Sequence, residues 1–387
     1  MKKFLVLTLI VAMLFGVVAC SNTPSNESAT NESTTGESAG TGTGEETATA
    51  SGLKKLNKEE IKVGFIYGSS IGDEGYTYAH NLGRLALEEM GIKTMYLENI
   101  PETADCEKAA RDLIAQGCNV IYATSFGHGE WIANVAQEHP DVYFNHATGY
   151  ITLNNMATYM GRMYEAEYLA GIAAGMKTKT NKIGFVTTFP IPEVIRQVNS
   201  YTLGVRSVNP TATVEVKWTS SWFDPVAEKS AATELINTGC DVIAAYCDTM
   251  NPQMAAAERG LFATGCSSPG KKVIPNAYLT APLFDWAAFY TADIQRIIDG
   301  TWTGESRWLG MKDGVVAIDE ITENCAEGTK EAVEKAKAAI IDGSLFVFTG
   351  EIKDNNGNVR VAEGQKLTDE EMLAMDWFVE GVIGSVN

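Results

Sequence analysis

Residues 113–125 read LIAQGCNVIYATS, and the pattern returns at residues 235–247 as LINTGCDVIAAYC. Each copy runs from an apolar Leu-Ile pair through a glycine to a short run rich in β-branched residues, which is a helix end, a turn and a buried strand. A second echo keeps nearly the same spacing: GFIYGSS at residues 64–70 and GFVTTFP at residues 184–190. One βαβ-type half is therefore used twice. Two similar halves leave a cleft between them, and a cleft is where function would sit.

The first residues do not belong to that frame. Lys2-Lys3 precede an apolar run over residues 4–18, too short and wrongly flanked to span a bilayer. The run ends in Val17-Val18-Ala19-Cys20, and small residues before a cysteine resemble a lipobox. Residues 1–19 are expected to be a signal peptide and Cys20 to carry lipid; the alternative is an ordinary secretory signal with an incidental cysteine. Residues 21–52 hold no aromatic and no large aliphatic side chain, so nothing there offsets the entropy of ordering. Residues 20–57 are expected to form the lipidated cysteine and a flexible tether, with a reach of roughly 30 Å. This predicts a monomer anchored on the outer face of a bacterial cell membrane.

The chain has 49 acidic and 30 basic residues, a net charge of −19, which excludes nucleic acid as a partner. Beyond Cys20 the cysteines are Cys106, Cys118, Cys240, Cys247, Cys266 and Cys325, with no CxxC pair. Cys118 and Cys240 occupy equivalent positions before buried strands. These two are expected as core thiols, and the bridging state of the six together stays open, since disulfides are permitted outside the cell.

Hydrophobic periodicity predicts strands at 61–67, 93–97, 119–124, 142–145, 182–187, 213–218, 241–246 and 272–275. It predicts helices at 76–90, 104–116, 131–138, 194–208, 226–237 and 254–259. Strands alternating with helices imply an α/β fold of doubly wound parallel sheets, one to each of the two halves. The expected division is 58–157 with 275–312 as lobe 1, and 158–274 with 313–387 as lobe 2. Ligands in such sheets bind beyond the carboxyl ends of the strands. Those ends carry Tyr76, Phe126, Phe189 and Trp222, with Ser125, Asp248 and Thr249 among them. Asp73 and Glu74 precede a helix, where capping is the plainer role.

Gly68-Ser69-Ser70-Ile71-Gly72 matches G-x-S-x-G between a strand and a helix, the setting of a hydrolase nucleophile. A triad also needs a base after the nucleophile. His80, His128, His139 and His146 all lie in the first half, and no oxyanion segment accompanies them. The glycine-serine turn reads as ligand binding. A surface serine esterase at Ser70 is the enzymatic alternative. There is no HExxH, no phosphate-binding GxxxxGK and no zinc spacing, so no cofactor is expected.

Several motifs in order resemble the basic membrane protein (BMP) family of ABC-transporter substrate-binding lipoproteins: IGDEGYTYAHNLGR at 71–84, YEAEYLAGIAAG at 164–175, GFVTTFPIPEV at 184–194, YTLGVRSVNP at 201–210 and SSWFDPVAEKSAATELINTGCDVI at 220–243. The resemblance runs from about residue 60 to the end. It implies a type I periplasmic-binding fold with the two lobes joined by a hinge, a purine base or purine nucleoside as ligand, and an ABC permease as partner. It implies Tyr76, with Asp73 in the same segment, as one stacking face and Phe189 as the other. Trp222 is placed near the cleft, Ser125-Phe126 on the third-strand loop and Asp248-Thr249 on its counterpart. The acidic segment and lysine that hold ribose in this family's nucleoside binders have no match here; Val273–Tyr278 and Pro282–Trp286 stand in their place. Trp286 then adds apolar area, and an adenine-like base is favoured over a nucleoside. A sensing module that signals to a membrane kinase would need the same ligand-driven closure. Asp376-Trp377 are expected to cap the second lobe.

Overall fold

The computed structural model describes residues 52–386 apart from Glu74. The expected signal segment, Cys20 and most of the tether lie outside the described residues. The first run of elements is β1 (Lys62–Ile66), α1 (Tyr76–Glu89), β2 (Lys93–Leu97), α2 (Asp105–Ala115), β3 (Val120–Ala123), α3 (Gly129–Glu138), β4 (Tyr143–Ala147) and β5 (Met156–Gly161). The second is α4 (Tyr164–Lys177), β6 (Lys182–Thr187), α5 (Pro192–Val208), β7 (Thr213–Trp218), α6 (Pro225–Asn237), β8 (Val242–Tyr246), α7 (Asn251–Glu258) and β9 (Phe262–Ala263). The chain ends with β10 (Pro282–Phe284), α8 (Trp286–Asp299), β11 (Ser306–Leu309), β12 (Val316–Ile318), α9 (Thr329–Asp342), β13 (Ile352–Lys353), β14 (Val359–Val361), α10 (Asp369–Leu373) and β15 (Val382–Ile383).

Two parallel sheets result, ordered β11-β5-β4-β3-β1-β2 and β15-β7-β6-β8-β9. The molecule is thus the two-lobed, doubly wound α/β structure that the alternation predicts. The repeat proves to be a packing unit. In lobe 1, Gly64 of β1 sits opposite Ile121 of β3; in lobe 2, Gly184 of β6 sits opposite Ile243 of β8. A Cβ on Gly64 would lie 3.0 Å from both Leu113 and Ile121. One on Gly184 would lie 2.8 Å from Ile243 and 2.9 Å from Leu235. Glycine is what lets each helix seat its leucine against the strand. Gly117 and Gly239, at φ +89° and +99°, take the left-handed conformation that ends each helix. The six cysteines are free thiols, all buried but Cys325, and Cys118 and Cys240 pack in equivalent outer cores.

The chain crosses between lobes after β5, along β10 and along β12. β10 and β12 form an antiparallel ribbon, with Leu283 opposite Ala317. The expected division is displaced at two places. A cut at 157/158 falls inside β5, which pairs with β4 and β11 in the first sheet, so lobe 1 extends to Gly161. Residues 272–275 are not a strand. The Ile274 N–H donates to the Gly270 carbonyl and Tyr278 N–H to Ile274, both in helical fashion at 3.1 and 2.9 Å. Pro269-Gly270 in front and Pro275 within make the run a poor ladder partner. The partner of β8 is the shorter β9, and Tyr278 and Ala281 pack in the lobe 2 core.

The carboxy-terminal segment finishes lobe 2. β15 pairs with β7, Asn199 donates to the Trp377 carbonyl at 2.7 Å, and Arg196 donates to the Met372 carbonyl at 2.8 Å. Arg162, beside the first crossing, grips Asp369 through both oxygens at 2.9 and 2.6 Å.

Candidate functional site

Between the lobes lies a cavity of about 340 Å³, walled by loops at the carboxyl ends of the strands. Lobe 1 contributes Tyr76, Glu102, Ser125 and Phe126; lobe 2 contributes Phe189, Glu193, Trp222, Tyr246 and Asp248. Cys247 and Cys266 lie in the same wall, their thiols pushed up by burial and so kept protonated.

The rings are held, not loose. Tyr76 opens α1, and its hydroxyl donates to the Thr124 carbonyl at 3.0 Å. The edge-on His80 ring lies 4.5 Å away, and Phe284 of the hinge ribbon 6.0 Å away. On the other wall Phe189 and Trp222 meet edge to face, centroids 5.4 Å apart. Phe126 is 42% exposed at the mouth, beside Tyr150.

The polar groups are mostly acceptors. Ser125 donates to Glu102 at 2.6 Å, and Gly127 N–H to the same oxygen at 2.8 Å. The Tyr246 hydroxyl donates to Glu193 Oε1 at 2.9 Å. Burial raises the Glu193 carboxyl above the usual range; the Arg196 charge and the Tyr246 hydrogen bond oppose this in part. Burial drives Asp248 well above its ordinary value, and Asp73, Glu228, Glu102 and Glu193 push the same way. Beneath the lobe 1 loops, His146 holds the Ser125 carbonyl at 2.8 Å and His128 the Ile100 carbonyl at 3.0 Å. Burial depresses both imidazoles, His146 to about 4.

The lobes touch at one tight point. A Cβ on Gly75 would stand 2.6 Å from the Asp248 carbonyl oxygen, so the loop entering α1 lies directly against the end of β8.

Of the residues singled out in the sequence, Tyr76, Ser125, Phe126, Phe189, Trp222 and Asp248 line the cavity. Three do not. Asp73 spends its carboxylate on the N–H groups of Gly75, Thr77 and Tyr78, each at 2.9 Å, and so fixes the start of α1. Thr249 is tied to buried Glu228 beneath the loop. Trp286 is 1% exposed in the core, stacked on His80 at 4.5 Å and Phe284 at 4.6 Å. It backs the hinge side of Tyr76 and adds no apolar area to the cavity. Glu102, Glu193 and Tyr246 were not anticipated. Glu193 follows Pro192 in a helical first turn and reads there as an acid favoured by the helix dipole.

Ser70 does not line the cavity. Its hydroxyl donates to Glu98 at 3.3 Å, while His80, His128 and His146 bond Tyr290, Ile100 and Ser125. Among the described residues no group of three or more His, Cys, Asp or Glu could hold a metal ion.

This architecture has counterparts. A solute-binding protein of an ABC transporter from Conexibacter woesei superimposes with a TM-score of 0.63 over 74% of this chain and 98% of its own, at 20% identity, a likeness of fold. A purine-binding protein of Brucella abortus is 39% identical over 328 residues, 84% of this chain and 93% of its own length. A protein of Haloferax volcanii, named as an ABC transporter glucose-binding protein, is 37% identical over 353 residues, 91% of this chain and 87% of its own. The family model for PnrA-like ABC transporter substrate-binding proteins matches residues 60–346. The hinged pair of lobes, the ring-lined cavity between them and this match agree: the chain belongs to the Bmp family of PnrA-like ABC transporter substrate-binding proteins.

Proposed function

We propose that this protein delivers a purine to its importer: an adenine-like base or a purine nucleoside, held between Tyr76 of one lobe and Phe189 with Trp222 of the other. Members of the family are substrate-binding proteins and not enzymes; they work outside the cytoplasm with a membrane permease. The observation that carries the purine reading is the placing of rigid rings on both walls of one cavity of about 340 Å³. A flat heterocycle gains about 0.5–1.5 kcal/mol from each well-placed ring beyond the area buried. The purine-binding relative supports the same reading. Closure of the lobes gives the permease a shape distinct from the open form.

Among the described residues no helix is long and apolar enough to cross a membrane. The lipobox-like run before Cys20 supports retention at the membrane through lipid on that cysteine, and Cys20→Ser should release the protein into the medium. The glucose-binding name of the second relative favours a sugar as the competing reading. Isothermal titration with adenine, guanosine, inosine and glucose decides between them. Heat with a purine and none with glucose supports the proposal; the reverse overturns it.

A further inference from the structure

The chemistry of the cavity wall is one-sided. Glu102, Glu193 and Asp248 line it, and among the described residues no lysine, arginine or histidine does. Three of the hydroxyls that line it have already given their hydrogen to the protein: Tyr76 to Thr124, Ser125 to Glu102 and Tyr246 to Glu193. Among the described residues no protein donor reaches the Asp248 carboxylate, whose main chain alone is engaged, with its N–H on the Trp222 carbonyl at 3.0 Å. Glu193 is fixed through Oε1 by Tyr246, and Oε2 has no hydrogen-bond partner among the described residues. Arg196, three residues further along α5, tempers the Glu193 carboxyl only in part and does not line the cavity. It is 1% exposed, lies against the Trp308 ring at 4.7 Å and donates to the Met372 carbonyl.

The wall is rich in acceptors and, among the described residues, carries no positive side chain; its donors, the Trp222 indole N–H and the hydroxyls of Ser220 and Ser221 among them, reach neither the Asp248 carboxyl nor Glu193 Oε2. An acceptor that a ligand covers without offering it a donor is costly, so the ligand must bring the N–H groups. An anion would add its charge to three carboxyls that Arg196, the neighbouring cation, offsets only in part. Across the lobes, Asp73 and Glu102 stand near enough to Asp248 to push its carboxyl up.

On the reading that the ligand is a purine, we infer that Glu193 is the specificity-determining residue, that its free oxygen and Asp248 accept N–H groups from an amino-bearing, neutral or cationic base, and that bases carrying a negative charge are excluded. Glu193 is set for this task. The helix start positions it, the tyrosine locks its rotamer, and its remaining oxygen has no other partner.

Calorimetry on the full chain with three probes of similar size tests the inference. Adenine carries the exocyclic amine, 6-methylpurine replaces it with a methyl group, and purine-6-carboxylate replaces it with an anion. Adenine should bind about 10- to 100-fold more tightly than 6-methylpurine, and purine-6-carboxylate should give no heat. Glu193→Gln should shrink the adenine preference to within a few-fold, with unchanged circular dichroism and melting. Asp248→Asn, on a separate loop, should let the carboxylate probe bind. Purine binding with no preference between adenine and 6-methylpurine, or a preference that survives Glu193→Gln in a folded protein, overturns this inference and leaves the purine reading standing. Heat with glucose and with no purine overturns both.

Discussion

The contact between Gly75 and Asp248 makes closure sensitive to one methyl group. Replacing Gly75 by alanine puts a Cβ 2.6 Å from the Asp248 carbonyl oxygen and 3.1 Å from its carbon. A comfortable carbon–oxygen contact is about 3.3 Å, so the overlap is roughly 0.7 Å. Neither side gives way cheaply. The Gly75 N–H is bonded to Asp73 at 2.9 Å, and Asp248 is bonded to Trp222 at 3.0 Å at the end of a paired strand. Overpacking of this kind costs about 1–3 kcal/mol. The cost falls on the closed state alone, because in an open form the two backbones separate. It therefore appears as weaker apparent affinity, by about 5- to 150-fold. Titration of Gly75→Ala with adenine measures this directly. Small-angle scattering at saturating adenine reports whether the lobes still close, and thermal melting without ligand should match the parent protein. Affinity within twofold of the parent would refute the reasoning, since it would mean that the liganded state does not use this contact. A lower melting temperature without ligand would show that the methyl disturbs α1 itself.

Other outcomes follow from the same geometry. Tyr76→Ala and Phe189→Ala should each lower adenine affinity by about 10- to 100-fold with the fold intact, as calorimetry and circular dichroism would record. Tyr76→Phe, which removes only the bond to Thr124, should cost about fivefold. Trp286→Leu should behave oppositely to Trp222→Ala: the first destabilises by about 3 kcal/mol or more in denaturant titrations, and the second weakens binding with little change in stability. His146 has a folded pKa of about 4 against an ordinary 6.5. The unfolded chain thus binds more protons between those values, so its share of stability is complete above pH 6.5 and is lost as the pH falls toward 4, on the order of 3 kcal/mol across the window. His146→Gln, which can still donate to the Ser125 carbonyl, should flatten the dependence of melting temperature on pH in that range. An unchanged slope would move the acid sensitivity to His80 or His128.

The frame of the fold is legible in the sequence because it rests on local signals that repeat. The Leu-Ile-x-x-Gly-Cys pattern encodes a helix end and a strand, and Gly64 and Gly184 mark where the helix leucines press in. The hinge is less legible. β5 carries Thr158 in its middle and Gly161 at its end, with Asn155 just before it, so it lacks an apolar strand signature, yet it is buried at the join of the lobes. The run at 272–275 has the composition of a strand, but Pro269 before it and Pro275 at its end fold it into turns. Pairing of β15 with β7 is a contact between residues far apart in the chain, and nothing local announces it.

The cavity divides along a similar line. Rings and serines at strand ends are conspicuous, and six of the residues singled out there do line the wall. Acids are not, because an acid at a helix start has a sufficient reason to be there. Glu193 and Asp73 look alike in sequence, each in or beside the first turn of a helix. Asp73 turns inward to the N–H groups of its own helix, while Glu193 is drawn away by the Tyr246 hydroxyl. Trp286 fails in the opposite sense. It has the composition of a cleft residue, but a small residue in α1, Gly83, opens a slot for its backbone: a Cβ there would stand 2.9 Å from Trp286. With its backbone seated there, Trp286 stacks its indole on His80 and Phe284, the two rings that brace Tyr76. A ring that touches the ligand and a ring that holds such a ring in place are the same residue type at the same kind of position. Only the partner across the helix tells them apart.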